Sequence, residues 1–342
     1  LSVGFKNGRL NFEAKSVLFL QLRLRLRMAF TGDFLATLAT LRKLFMSLLV
    51  VGSIAFDSVH TPFGIVDDAL GGSATYFSYA ASYFTPVRLV GVVGEDFPAE
   101  HRTLLESRNI DISGLEIEKG GKTFRWKGKY EGDMNSAETL EVHLNVLGTF
   151  NPDLSPKFSE TPYVFLANGS PQMQRKVLSQ TKNRKLVVAD TMNLWIEIQR
   201  DELNALLKEI DGLVLNDGEA RMLTEEVNLV RAGQKVLDLG PKFVIIKKGE
   251  HGAMFLSREE SFVMPAFPLG DVVDPTGAGD SFAGGFMGYL ASVDRTDAAA
   301  LKTAMAYGTV VASINVQDFS LRSFQRTERA QIDARLAAYR SM

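Results

Sequence analysis

Short, mostly apolar runs separated by helix-length amphipathic stretches constrain this chain more than any other feature. The runs are Leu48–Val51, Val87–Val93, Tyr163–Ala167, Leu186–Ala189, Gly212–Leu215 and Phe243–Ile246. A strand apolar on both faces has to be covered on both, so the alternation predicts a mostly parallel α/β sheet with helices on each side. Residues 172–180 and 198–210 carry helical periodicity between such strands. One stretch breaks the pattern. From Lys122 to Val146 polar residues alternate with apolar or aromatic ones around Gly128 and Gly132-Asp133, which predicts an antiparallel β flap with one exposed face.

Charge and composition narrow the partner. The formal net charge is -2, without the basic excess of a nucleic-acid binder, so a small molecule is expected. There is no cysteine, which excludes disulfides, thiolate catalysis and Cys-based zinc sites, and the four histidines lack ligand spacing. Residues 1–45 stand apart, with eight Lys or Arg against Glu13 and Asp33 and an alternating Leu-Arg segment from Gln21 to Arg27. They are expected to lie outside the core, with Met46 a plausible native start and 46–342 one domain. No apolar run reaches the ~20 residues of a membrane span, and a cytoplasmic protein is expected.

The most informative segment for chemistry is Asp271 to Leu290, DVVDPTGAGDSFAGGFMGYL. Pro275 and the small residues Gly277, Ala278 and Gly279 make a tight turn, and Phe282, Phe286, Met287 and Leu290 follow at helical spacing. The free backbone N–H groups of such a helix start form an anion site. Asp280 at that mouth has two readings, an ordinary N-cap or a base that accepts a proton from an attacking hydroxyl. Other phosphate motifs fail: a Walker loop ending at Gly121-Lys122-Thr123 would need glycine at Glu116, and the third glycine of a dinucleotide fingerprint falls on Phe282.

The segment DPTGAGDSFAGGF resembles the C-terminal signature of the ribokinase-like (PfkB) carbohydrate kinase family. Four further segments agree in order: Gly71-Gly72-Ser73-Ala74 with the sugar-site di-glycine, residues 91–96 with the strand and turn after it, Asn216-Asp217-Gly218-Glu219 with the N-x-x-E motif, and residues 247–252 with the nucleotide turn. The resemblance implies a three-layer ribokinase-like domain with a small β lid, from segments near 57–70 and 122–146. It implies an ATP-dependent kinase that transfers the γ-phosphoryl group to a hydroxymethyl group of a sugar, with a nucleoside kinase or a non-catalytic sensor as the alternatives.

The resemblance also implies roles. Asp280 becomes the catalytic base, with Gly277, Ala278 and Gly279 as its anion hole. Asp57, Gly71, Gly72 and Asn168 bind the acceptor. Asn216, Glu219, Lys247, Gly249 and Gly252 serve ATP, with Glu219 ordering Mg²⁺ through water and Asp274 holding a monovalent cation such as K⁺. Asp190 and Asn193, beyond a strand end, are further candidates for the cleft. Where ribokinase carries asparagine, four residues after the second glycine, this chain has Tyr76, so that sugar contact does not transfer. The flap offers Phe124, Arg125, Trp126, Asp133 and Asn135. It is expected to serve the acceptor and leave ATP to the sheet, and a homodimer through the lid is a further expectation.

Overall fold

The computed structural model describes residues 47–342; the expectations for segment 1–45 and for Met46 lie outside them. In chain order the strands are β1 (Leu48–Val51), β2 (Ala55–Thr61), β3 (Gly64–Gly71), β4 (Val87–Gly94), β5 (Ile110–Glu118), β6 (Phe124–Tyr130), β7 (Ala137–His143), β8 (Tyr163–Leu166), β9 (Leu186–Asp190), β10 (Gly212–Asn216), β11 (Phe243–Lys247), β12 (Ala253–Ser257) and β13 (Ser261–Met264). Nine of them form one sheet in the order β13-β12-β11-β10-β9-β8-β1-β4-β5. Pairing is parallel from β5 to β11, and β12 and β13 extend one edge in antiparallel fashion.

The apolar runs behave as their composition requires. Leu48 and Val50 of β1, with Phe165 and Val188, face one buried layer, while their neighbours Leu49 and Val51, with Val164 and Val187, face the other. Alternate side chains of a strand point to opposite faces, so an all-apolar strand feeds two cores at once. The periodic segment at 172–180 is the helix Pro171–Gln180, started by Ser170, whose Oγ accepts the Met173 N–H at 3.3 Å. The segment at 198–210 is broken, because Gln199 takes φ −135° and separates the helices Asn193–Ile198 and Arg200–Leu207.

A second sheet, β3-β2-β6-β7, makes the lid. The flap expected at 122–146 is the antiparallel pair β6–β7, but it does not stand alone: β2 lies parallel to β6 and brings β3 with it. In the chain β2 follows β1 and β6 follows β5, two strands that run in the same direction on either side of β4. Among the described residues no helix is long and apolar enough to cross a membrane.

Two helices bring the site together. Ser73–Ser82 follows the di-glycine, and Ala278–Val293 follows the glycine-rich turn. They pack at close range because Gly284 and Gly288 have no side chain. A Cβ on Gly284 would collide with Phe77 C=O and the Ala80 methyl, and one on Gly288 would press on the Ala81 backbone. This approach fixes the di-glycine and the glycine-rich turn relative to each other.

Candidate active site

Gly277 caps helix Ala278–Val293 in the left-handed region, at φ +75°, and a Cβ there would run into the ring of Tyr76. The turn is held from behind. Asp274 is buried and its two oxygens accept Thr276 N–H at 2.9 Å and Ser320 N–H at 3.2 Å. Buried Asn315 donates to Thr276 C=O at 2.7 Å, and its Oδ1 is 3.1 Å from Ser281 Oγ. Of the three expected hole residues, Ala278 spends its N–H on Pro275 C=O at 3.1 Å. The N–H groups of Gly277 and Gly279 have no acceptor among the described residues.

Asp280 lies in the first turn of that helix without capping it, which removes the N-cap reading. Its neighbours are Asp190, at the end of β9, and Lys247, at the end of β11. Lys247 Nζ rests against the Cα of Gly279, so the lysine expected in a nucleotide turn sends its charge to the start of helix Ala278–Val293. Burial raises the Asp280 carboxyl, while Lys247 and a hydrogen bond from Asp190 oppose the rise. Asp190 is driven well up, by burial and then by the charge of Asp280, while Lys247 opposes the rise. Its Oδ1 is buried with no hydrogen-bond partner among the described residues.

Asn216 and Glu219 form a reciprocal capping box at the start of helix Asp217–Thr224: Glu219 N–H donates to Asn216 Oδ1 at 2.8 Å, and Asn216 N–H to Glu219 Oε2 at 2.7 Å. Helix capping therefore occupies half of each side chain. Glu219 is buried, which raises its carboxyl, and Lys247 opposes that rise. Gly249 at φ +54° and Gly252 at φ +80° shape the turn after β11, where side-chain-bearing residues would be strained.

At the acceptor end Asp57 of β2 is buried, and its Oδ2 accepts Gly72 N–H at 3.2 Å. Gly71 is required by that carboxylate, into which a Cβ would fall. Burial pushes Asp57 up to about 7; the Gly72 N–H opposes this, and the charges of Asp274 and Asp280 add to it. Asn168 is less free than expected, since its Oδ1 accepts from Trp195 Nε1 at 2.8 Å and its Nδ2 meets Met192 Sδ at 3.1 Å. On the lid, Trp126 is paired in register with Asp57, whereas Arg125 points to the opposite face, where it bonds Asp68 and Asp96 and lies over the Phe56 ring. Sequence reasoning missed Asn315 and Tyr130; the one signal for Asn315 was a lone amide directly after the mostly apolar stretch Val310–Ile314.

Residues 46–328 match the family model "pfkB family carbohydrate kinase". The chain is 29% identical over 249 residues to a cytidine kinase of Thermococcus kodakarensis, covering 71% of this chain and 87% of that one. It is 27% identical over 288 residues to a nucleoside kinase of Methanothermobacter thermautotrophicus, covering 79% and 89%. In structure it is similar to the Methanocaldococcus jannaschii nucleoside kinase, with a TM-score of 0.68 at 21% identity, covering 86% of this chain and 98% of that one. A putative ribokinase II from E. coli in complex with ATP and Mg²⁺ superimposes with a TM-score of 0.72 at 19% identity, covering 85% and 99%. A chain with this fold, an acid at the mouth of a glycine-rich helix start and a family match over 46–328 belongs to the pfkB family of carbohydrate kinases, ATP-dependent enzymes that phosphorylate an alcohol.

Proposed function

We propose that this kinase phosphorylates the primary 5′-hydroxyl of a nucleoside, with Asp280 as base. The observation that carries the acceptor class is the register of Asp57 with Trp126: one lid face offers a carboxylate for sugar hydroxyls and, beside it, an indole on which a nucleobase can stack. The cytidine and nucleoside kinases among the relatives support the same reading. Arg125 gives no support to a sugar-phosphate acceptor, because its charge is matched by Asp68 and Asp96.

In the reaction Asp280 takes the hydroxyl proton as the oxygen attacks the γ-phosphorus. The bond from that phosphorus to the bridging oxygen breaks, and ADP leaves with its electron pair. Gly277 N–H, Gly279 N–H and Lys247 Nζ face the charge that spreads over the transferring group. The buried Asp190 Oδ1 without a donor, close to Glu219, fits a hard cation that wants oxygen ligands. Mg²⁺ would be held there by Asp190 and Glu219 and, when bound, neutralises phosphate charge. For K⁺, support is limited to Asp274, which keeps lone pairs beyond those used by Thr276 and Ser320.

The test is ATP turnover against cytidine, uridine, adenosine, inosine, ribose and deoxyribose. The expected result is a kcat/KM for at least one nucleoside ten or more times that for ribose; a free sugar as the best acceptor overturns the reading. We place the enzyme in the cytoplasm, where ATP is supplied. The exposed Phe63 and Ile65 at the β2–β3 edge of the lid support a homodimer through that sheet, which light scattering on Ile65→Lys would check.

A further inference from the structure

Two contacts cross the cleft from the lid to the nucleotide half of the site. Tyr130, at the end of β6, is buried, and its hydroxyl is 3.4 Å from Thr276 Oγ1 in the turn before Gly277. The lid turn that follows is stiffened by its own bond, Asn135 N–H to Asp133 Oδ1 at 3.0 Å. Gly132 and Met134 flank it, each at φ +61°. That tip sets Asn135 Oδ1 directly on Gly249, where any Cβ would collide with it.

Gly249 belongs to the turn after β11, and Lys247, two residues earlier, reaches Gly279. A polyphosphate running from residues 247–252 to the anion hole therefore passes under the lid tip. Asn135 Nδ2 has two hydrogens to give; one goes to the Asp133 carboxylate, which the backbone and side-chain amides of Asn135 hold low, and that leaves one for a ligand.

We propose that Asn135 is a nucleotide-positioning residue, whose side-chain Nδ2 donates to a polyphosphate oxygen while Oδ1 rests on Gly249. The lid then closes on ATP as well as on the acceptor, with Tyr130 and Thr276 joining its root to the anion-hole turn. This extends the expectation that the flap serves the acceptor alone, and it rests on reading residues 247–252 as the nucleotide turn.

Backbone hydrogen exchange on the full chain, with Mg²⁺ and a non-hydrolysable ATP analogue but no acceptor, tests the proposal. Slowed exchange is expected at both 247–252 and 130–136. Asn135→Gly should abolish the slowing at 130–136 and weaken the analogue about 3- to 10-fold by calorimetry, the scale of one lost hydrogen bond. Asn135→Asp, which keeps Oδ1 but loses the donor, should weaken it at least as much. Slowing at 247–252 without slowing at 130–136, or wild-type affinity in both variants, overturns the proposal and leaves the nucleotide turn standing. No slowing at 247–252 overturns both.

Discussion

Lys247 Nζ lies against the Cα of Gly279, and this one approach ties the end of β11 to the start of the helix that carries Asp280. It puts a cation beside two carboxyls, Asp190 and Asp280, that would otherwise repel each other. Lys247→Met should therefore lower kcat by about 10²- to 10³-fold, the scale found when a donor to developing charge is removed. Loss of the cation also raises both carboxyls further, so the acid limb of the pH–rate profile should move to higher pH. A variant with normal kcat and an unmoved profile would show that the lysine only fills space.

Asp280→Asn tests the base directly. The amide is nearly isosteric, and Asp280 caps nothing, so folding and analogue binding should survive while kcat falls by about 10²- to 10⁴-fold. Melting temperature and calorimetry provide the folding and binding controls. Near-normal turnover in the folded variant would remove the assignment.

The acceptor end has its own pH signature. Asp57 is pushed up to about 7, chiefly by burial, so around neutral pH it passes between a protonated group and a carboxylate that accepts from sugar hydroxyls. Acceptor KM should rise as pH falls from 8 to 6, and Asp57→Asn should give a higher KM that no longer changes over that range. The stability effect has the opposite sense. The folded state holds this proton more tightly than the unfolded chain, so the contribution is full below about 3.8 and is lost as pH rises through about 7. A wild-type KM flat from pH 6 to 8 would contradict the shift.

The parts of the site that chain geometry dictates were legible in the sequence. Gly277 and Gly72 hold backbone angles that only glycine adopts freely, and Gly71 leaves room for a carboxylate, so their types report their surroundings. Asn216 and Glu219 suited a capping box and a ligand role equally, and the structure shows the box, with Glu219 still beside Lys247. What stayed hidden depends on side-chain direction across long separations. Lys247 and Lys248 look alike in sequence, and only the end of β11 sends Lys247 toward Gly279. The lid contact between Asn135 and Gly249 spans more than a hundred residues and leaves no local pattern. Asn168 illustrates the converse: its place after β8 was anticipated, but its partners Met192 and Trp195 come from the next crossover.

Asn315 was the least visible of these, and it leads to the sharpest separation of stability from catalysis. It ends the helix Ala298–Asn315, is 1% exposed, and ties Thr276 C=O to Ser281 Oγ, on either side of the Gly277–Gly279 turn. It touches no reacting atom, so it is a positioning residue. Asn315→Ala would leave Thr276 C=O and Ser281 Oγ without their partner in a buried place, at a cost of about 1–3 kcal/mol. Freed from that tie, the turn should hold Gly277 and Gly279 less well, lowering kcat while the KM for the acceptor, bound at Asp57 and Gly72, stays within about twofold. Asn315→Asp keeps the acceptor for Ser281 but loses the donor to Thr276, so it should recover none of the kcat. Equal loss of kcat and of acceptor affinity in Asn315→Ala would point to general loosening of the packed helices rather than to the turn.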